Sequence, residues 1–447
     1  MIDRRFGRLT DPPASFVLVG ARFIDPASGT DATRHLAARD GIIVPQADAA
    51  SERIPADGLV VAPGFCDLHT HLREPGTEGE TIASGTHAAA AGGFSTVCAM
   101  PNTDPALDDA TAAERVLVAA RDAACRVRVI GAATRSRAGE HASDLAGLHG
   151  AGVIGVSDDG VAVREDELAH EILASLAGIG IPLIEHAEDP SVAGHGVMRA
   201  GPTATRLGLP GWPPEAELRI VERDLRLAAE TGARLHLTHL STGAAIGAVR
   251  RAKERGVAVT CDVTPHHLAM TDAWVGGSRR FAWEDPDAAT TTATAYDGAT
   301  RVNPPLGSRE DALGLIDALA DGTIDAIATD HAPHPPHRKA VPFAEAAPGL
   351  IGLETALSLG LAAVGAGRVE LARLVAALST GPAAIIRERR SLEPGTVADL
   401  VAFDPSRRWR VEAHALASAS TNTPLLGMEL PGVVRLTVAD GRVTYRS

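Results

Sequence analysis

Lysine is almost missing from this 447-residue chain, in which 42 residues are Lys or Arg and only Lys253 and Lys339 are lysines. Any chemistry that needs a lysine side chain has two places to look. Cysteine is scarce as well: Cys66, Cys98, Cys125 and Cys261 lie far apart and form no CxxC pair. That excludes a disulfide framework and a zinc knuckle, and leaves them as buried apolar residues in a reducing compartment. No apolar stretch approaches the ~20 residues that span a bilayer. The opening MIDRRFGRLTDPP has neither an apolar run nor a small-residue cleavage site, so a cytoplasmic location with no membrane partner is expected. Positive charge is in deficit too. A net charge of -14 removes the basic face that a nucleic-acid binder needs, and a small-molecule partner remains.

What is present is enough apolar residue, 45% of the chain, for a large core. Between residues 62 and 382, short β-branched runs alternate with Ala/Leu-rich stretches of helical periodicity, such as 78–91, 110–124, 165–177, 215–231 and 244–255. Eight such runs end near residues 67, 100, 131, 157, 186, 239, 262 and 330. Eight strands with intervening helices predict an α/β fold of the (β/α)8 TIM-type barrel rather than an open sheet. The chain ends differ, being rich in strand and turn signals and poor in helical runs. The expected division is a barrel over 63–389 and a small accessory β-domain built from 1–62 and 390–447, with separate flanking ribbons as the alternative.

Two stretches interrupt the rhythm. Residues 273–300 carry a low-complexity centre and read as a partly disordered surface excursion. The Pro-rich stretch 334–349 follows the eighth strand, and a substrate-covering loop and a solvent loop are equally compatible with it.

The strongest local signal is Asp67-Leu68-His69-Thr70-His71-Leu72-Arg73, directly after the first strand. Alternate strand residues share a face, so His69 and His71 point together into the barrel mouth, where two imidazoles can hold one metal ion. Further ligand types fall at other strand ends, where barrel enzymes assemble their sites. Asp158 and Asp159 follow strand four, His186 ends strand five, His239 strand six and Asp330 strand eight. This mixed N/O set suits zinc or a related divalent ion and is large enough for two.

These residues resemble the amidohydrolase superfamily. The strings DLHTHLREPG, AMPNTDPALDD, SDDG, EHAED, VTPHHLAMTD, RVNPPLGSRED, IATDHAPH and GLIGLETALSL are similar to the type I bacterial dihydroorotases, along essentially the whole chain. Hydantoinases and allantoinases resemble the same barrel but bridge two metals with a carboxylated lysine after strand four. No lysine stands there, so the bridge falls to a native carboxylate. The family's spacing of 27 residues before His186 selects Asp159, with Asp158 as the fallback; alone, Ser-Asp-Asp-Gly would read as a turn or helix cap.

The resemblance implies zinc, one or two ions per subunit, held by His69, His71, Asp159, His186, His239 and Asp330. It implies Asp330 as the catalytic proton carrier and His71, Arg73, Asn102, Asn303, His334, Pro348 and Gly349 as substrate contacts. Arg73, two residues beyond His71, is read as facing the same side and offering a planar fork to a substrate carboxylate. The family usually carries Phe-Gly where this chain has Pro348-Gly349, and proline lacks the N–H for one contact. The implied activity is reversible cyclisation of N-carbamoyl-L-aspartate to L-dihydroorotate plus water, in pyrimidine (UMP) biosynthesis. The alternatives are an inactive dihydroorotase-like partner of aspartate carbamoyltransferase and a cyclic amidohydrolase of the hydantoinase or allantoinase kind. Homo-oligomerisation or association with aspartate carbamoyltransferase stays open. Of the other histidines, His236 is expected to be packed, His266 and His267 to shape the mouth without ligating, and His195 and His337 to lie in loops.

Overall fold

A computed structural model describes residues 4–46, 51–287 and 293–447. Eight short parallel strands form the central barrel: β1 (Phe65–Thr70), β2 (Phe94–Ala99), β3 (Arg126–Val129, resumed at Gly131–Ala132), β4 (Val156–Ser157), β5 (Leu183–Glu185), β6 (Leu235–Leu237), β7 (Val259–Val263) and β8 (Ala326–Ile327). Each pairs in parallel with its sequence neighbour. The ring closes between β8 and β1 through a parallel bridge from Thr70 to His331 and through the Thr329 N–H, 2.8 Å from Asp67 Oδ1. Burial on both faces explains why these strands read as continuous apolar runs.

The helices follow their local signals. Glu215–Thr231 buries Ile220, Val221, Leu225 and Ala228 along one face and stops at Gly232, whose φ of 71° suits only a residue without Cβ strain. Arg309–Asp321 starts at a capping box between Ser308 and Asp311. The first helix begins at Ile82, later than periodicity suggested, because Thr81 caps it.

Both chain ends enter one nine-stranded sheet. Val60–Pro63 pairs antiparallel with Leu400–Arg410, which continues through Glu429–Ala439 and Arg442–Arg446 to Arg5–Phe6. Separate ribbons are thereby excluded. Part of the C-terminal chain nevertheless leaves the sheet: Val411 and Leu425 pack with Met270, Trp274 and Phe281 beside the barrel mouth.

That packing corrects the expectation for 273–300. Trp274 is fully buried, its ring 6.0 Å from that of Phe281, and Arg279 lies over it while pairing with Asp297 at 2.9 Å. The flanks of this segment are core, held by aromatic burial. Its low-complexity tip, 288–292, lies outside the described residues.

Candidate active site

The C-terminal ends of the strands converge on a cluster of buried imidazoles and carboxylates. His69 lies in β1 and His71 just beyond it; Asp159, His186, His239 and Asp330 follow β4, β5, β6 and β8. All six are buried. His69 Nε2 lies 3.2 Å from Asp159 Oδ1 and 3.6 Å from Asp330 Oδ1, and His71 Nε2 lies 3.1 Å from Asp330 Oδ1. Asp159 Oδ1 is also 3.7 Å from both His186 Nδ1 and His239 Nε2, so this carboxylate joins the two halves of the cluster. Asp158 is turned away. Its carboxylate accepts from the Thr134 N–H at 2.9 Å and from the Thr134 hydroxyl, and the fallback bridge is therefore out of place.

The outer nitrogens of the β1 imidazoles are anchored. His69 Nδ1 meets Thr238 Oγ1 at 2.9 Å, and Thr238 in turn donates to Asp262 at 3.1 Å. His71 Nδ1 meets Asn102 Oδ1 at 2.9 Å. Fixing one ring nitrogen orients the other, as metal-binding histidines require. Two groups of three, His69/His71/Asp330 and His69/Asp159/His239, each bring ligand atoms within 4.8 Å of one another, and buried His69 Nε2 has no hydrogen-bond partner among the described residues. The donor set thus fits a divalent ion.

Electrostatics agree. Burial disfavours a charged His69, yet the flanking Asp159 and Asp330 carboxylates push its pKa up to about 10. Burial alone would raise Asp159, but the neighbouring His69 and His239 imidazoles hold it well below the usual carboxylate range. The two buried carboxylates thus stabilise positive charge placed beside them. His239 and Asp330 also sit at φ of 41° and 47°, and Arg73 at 61°. Such left-handed backbone in non-glycine residues is costly and marks sites whose geometry the surroundings enforce.

A cavity of about 210 Å³ opens beside the cluster, bordered by Arg73, Asn102, Asn303, His334, Pro348 and Gly349. Every expected substrate-contact residue reaches it. Arg73 does so for a different reason from the one read in the sequence: β1 ends at Thr70, so strand alternation no longer applies and the left-handed turn carries the guanidinium inward. Its Nε donates to Pro333 O at 3.1 Å, and Nη2 lies 3.4 Å from His334 Nε2. Burial and Arg73 press the His334 pKa down to about 3, leaving a neutral ring near pH 7. Asn102 also donates to Asp159 Oδ2 at 2.9 Å, so its amide orients two cluster residues. Pro348 O accepts from His334 Nε2 at 2.8 Å, and the Gly349 N–H donates to Arg301 O at 2.8 Å. Neither residue therefore turns an N–H into the cavity. A Cβ on Gly349 would meet Ala332 Cβ at 2.5 Å, which demands glycine.

The stretch 334–349 proves to border the cavity, through His334, Arg338 and residues 347–349. His236 is packed, with Nε2 2.8 Å from Asp262. His267 donates to Pro304 O, supporting the Asn303 loop, and burial lowers His266 to about 4. His195 and His337 are exposed. Sequence reading missed Glu188, whose Oε2 lies 3.3 Å from His186 Nε2 and accepts from Asn303 Nδ2 at 2.8 Å. Its place two residues after His186 was the available signal. Neither lysine approaches the cluster: Lys253 pairs with Asp325 at 2.6 Å, and Lys339 donates to backbone carbonyls.

Comparison with known proteins agrees with this geometry. A family model described as Dihydro-orotase-like matches residues 58–245. The dihydroorotase of Geobacter sp. (strain M21) is 42% identical, covering 97% of this chain and 100% of that protein. That of Anaeromyxobacter dehalogenans (strain 2CP-1) is 44% identical over 95% and 96%. Among solved structures, the L-hydantoinase (dihydropyrimidinase) of Arthrobacter aurescens superposes with a TM-score of 0.82 at 24% identity, covering 98% of this chain and 96% of that one. This last likeness speaks to the fold alone, whereas sequence identity at this level over nearly the full length places the chain in the dihydroorotase family.

Proposed function

We propose that the chain closes N-carbamoyl-L-aspartate to L-dihydroorotate with release of water, and opens the ring in reverse, in the cytoplasm as a step of UMP biosynthesis. One or two zinc ions are assigned to His69, His71, Asp159, His186, His239 and Asp330. Such an ion supplies Lewis acidity, polarising the amide carbonyl and acidifying water. The rest of the chemistry belongs to the chain. Asp330 takes a proton from the attacking water and returns it to the ring nitrogen as the C–N bond breaks; ring closure runs these transfers backwards. Arg73 holds the free carboxylate through a charge-assisted fork, with His334 as a neutral partner beside it. Asn102 keeps His71 and Asp159 in register, and Asn303 and the 348–349 backbone border the ring.

The observation that carries this reading is the position of Asp159, which meets His69, His186 and His239 while both lysines lie elsewhere. A carboxylated-lysine bridge has no residue to form on. An inactive homologue is disfavoured because all six ligand positions converge. No helix of the described residues is long and apolar enough to cross a membrane. The test is metal analysis of the purified protein together with dihydroorotate hydrolysis. A metal-replete protein that opens dihydrouracil but not dihydroorotate would refute the substrate assignment.

A further inference from the structure

Part of the cavity wall, residues 347–349, is loop and not strand, and something outside the cavity must hold it. Its tip, Gly349, has a φ of 123°, a conformation natural to glycine but with many alternatives open to it. The Gly349 carbonyl accepts two hydrogen bonds, from Lys339 Nζ at 2.8 Å and from Asn422 Nδ2 at 3.2 Å. Neither donor borders the cavity.

We propose that Lys339 and Asn422 are positioning residues that clamp the 347–349 wall from behind and so set how tightly the cavity receives its substrate. The substrate named in the test rests on the dihydroorotase reading; the clamp does not.

Lys339 Nζ faces three carbonyls, Ala347 O at 2.6 Å, Gly349 O at 2.8 Å and Arg301 O at 3.3 Å. No carboxylate lies within ion-pair distance of it among the described residues. An ammonium carries three N–H donors in a compact pyramid, whereas a guanidinium spreads its donors in a plane. This accounts for a lysine at 339 in a chain that otherwise uses arginine almost throughout. Burial and the neighbouring Arg301 lower its pKa to about 7, against the opposing pull of Asp297. Three carbonyl oxygens replace the water it gives up.

Asn422 closes the clamp from the far end of the sequence. Its Nδ2 also donates to Ala332 O at 3.0 Å, its Oδ1 accepts from the His334 N–H at 3.1 Å, and its backbone carbonyl accepts from the Ile351 N–H at 3.1 Å. One residue thus ties together Ala332, His334, Gly349 and Ile351. Because Pro348 O holds the His334 ring, slack at Gly349 would loosen the ring beside Arg73.

The experiment compares wild type with Lys339→Met, Lys339→Arg and Asn422→Ser in the full-length, metal-replete protein, reading steady-state kinetics, metal content and amide exchange by mass spectrometry. Losing donors to the wall should raise KM for dihydroorotate by about 10-fold, the effect of one charge-assisted hydrogen bond, while kcat and metal content change little. Exchange should accelerate in peptides covering 345–352 and not in the barrel strands. Lys339→Arg should behave like Lys339→Met. Wild-type KM and exchange in both Lys339→Met and Asn422→Ser would overturn the clamp, and full rescue by Lys339→Arg would reduce Lys339 to a bare charge. If Lys339→Met fails to fold, Asn422→Ser reads the same wall. If wild type does not open dihydroorotate, the substrate reading fails and the exchange data still decide the clamp.

Discussion

The two ends of the barrel treat buried charge in opposite ways. At the N-terminal ends of the strands, cations and carboxylates are matched. Arg390, 4% exposed, lies 2.9 Å from both Asp399 and Glu388; Arg126 reaches Asp399 at 3.2 Å, Arg128 reaches Glu388 at 2.5 Å, and Lys253 reaches Asp325. At the C-terminal ends, Asp159 and Asp330 are surrounded by imidazoles instead, and buried ring nitrogens of His69, His239 and His266 lack hydrogen-bond partners among the described residues. One end is neutralised from within. The other turns its carboxylates and imidazoles toward a cavity, which fits the usual division of a barrel into a stabilising and a reactive face.

Substitutions at the two ends should therefore separate cleanly, and the largest loss of turnover belongs at the top. Replacing His69 and His71 together by Ala removes two oriented nitrogens that water replaces poorly. Metal content by mass spectrometry should fall to background, and hydrolysis with it. Full metal in the double variant would show that the cluster is not the metal site.

Asp330→Asn keeps the shape but cannot accept a proton, so kcat should drop by ~10²- to 10⁴-fold. Circular dichroism should show the fold unchanged. Turnover within a factor of about three of wild type, far inside the range for general-base loss, would move the proton carrier to another residue.

Arg73→Met should act on binding. Losing a charge-assisted fork costs about 1.5–3 kcal/mol, or roughly 10- to 150-fold in kcat/KM for dihydroorotate. Dihydrouracil has no carboxylate and should be affected much less. Equal losses for both rings would make Arg73 a structural residue of the turn at Pro333.

How much of this could be read beforehand follows from range along the chain. The strand-end cluster was legible because period-2 alternation and barrel architecture together say where His69, His186, His239 and Asp330 must point. Asp159 rather than Asp158 was decided by family spacing; the geometry agrees because Thr134 captures Asp158. The flanks of 273–300 were misread because Trp274 and Phe281 bury against Val411 and Leu425, residues more than a hundred positions away that no local pattern announces. Asn422 was invisible for the same reason, since it acts on His334, 88 residues earlier.

The smallest effect on turnover belongs at the bottom. Arg390→Met removes a buried guanidinium from between Asp399 and Glu388, about 300 residues in sequence from the Ser95 hydroxyl to which it also donates. Breaking a buried pair on one side usually costs about 3–5 kcal/mol, because the partner charge stays behind. Here Arg126 still reaches Asp399 and Arg128 still reaches Glu388, so the low end, about 3 kcal/mol, is expected. No residue of the His/Asp cluster touches this network, and the barrel core lies between it and the cavity. Urea unfolding should show a lower midpoint with an unchanged slope, which marks a stability change in an otherwise intact native state. At temperatures where the variant remains folded, kcat and KM should match wild type. A tenfold fall in kcat/KM with metal content intact would mean that the matched end communicates with the reactive one, and the two faces of this barrel could no longer be described as separate.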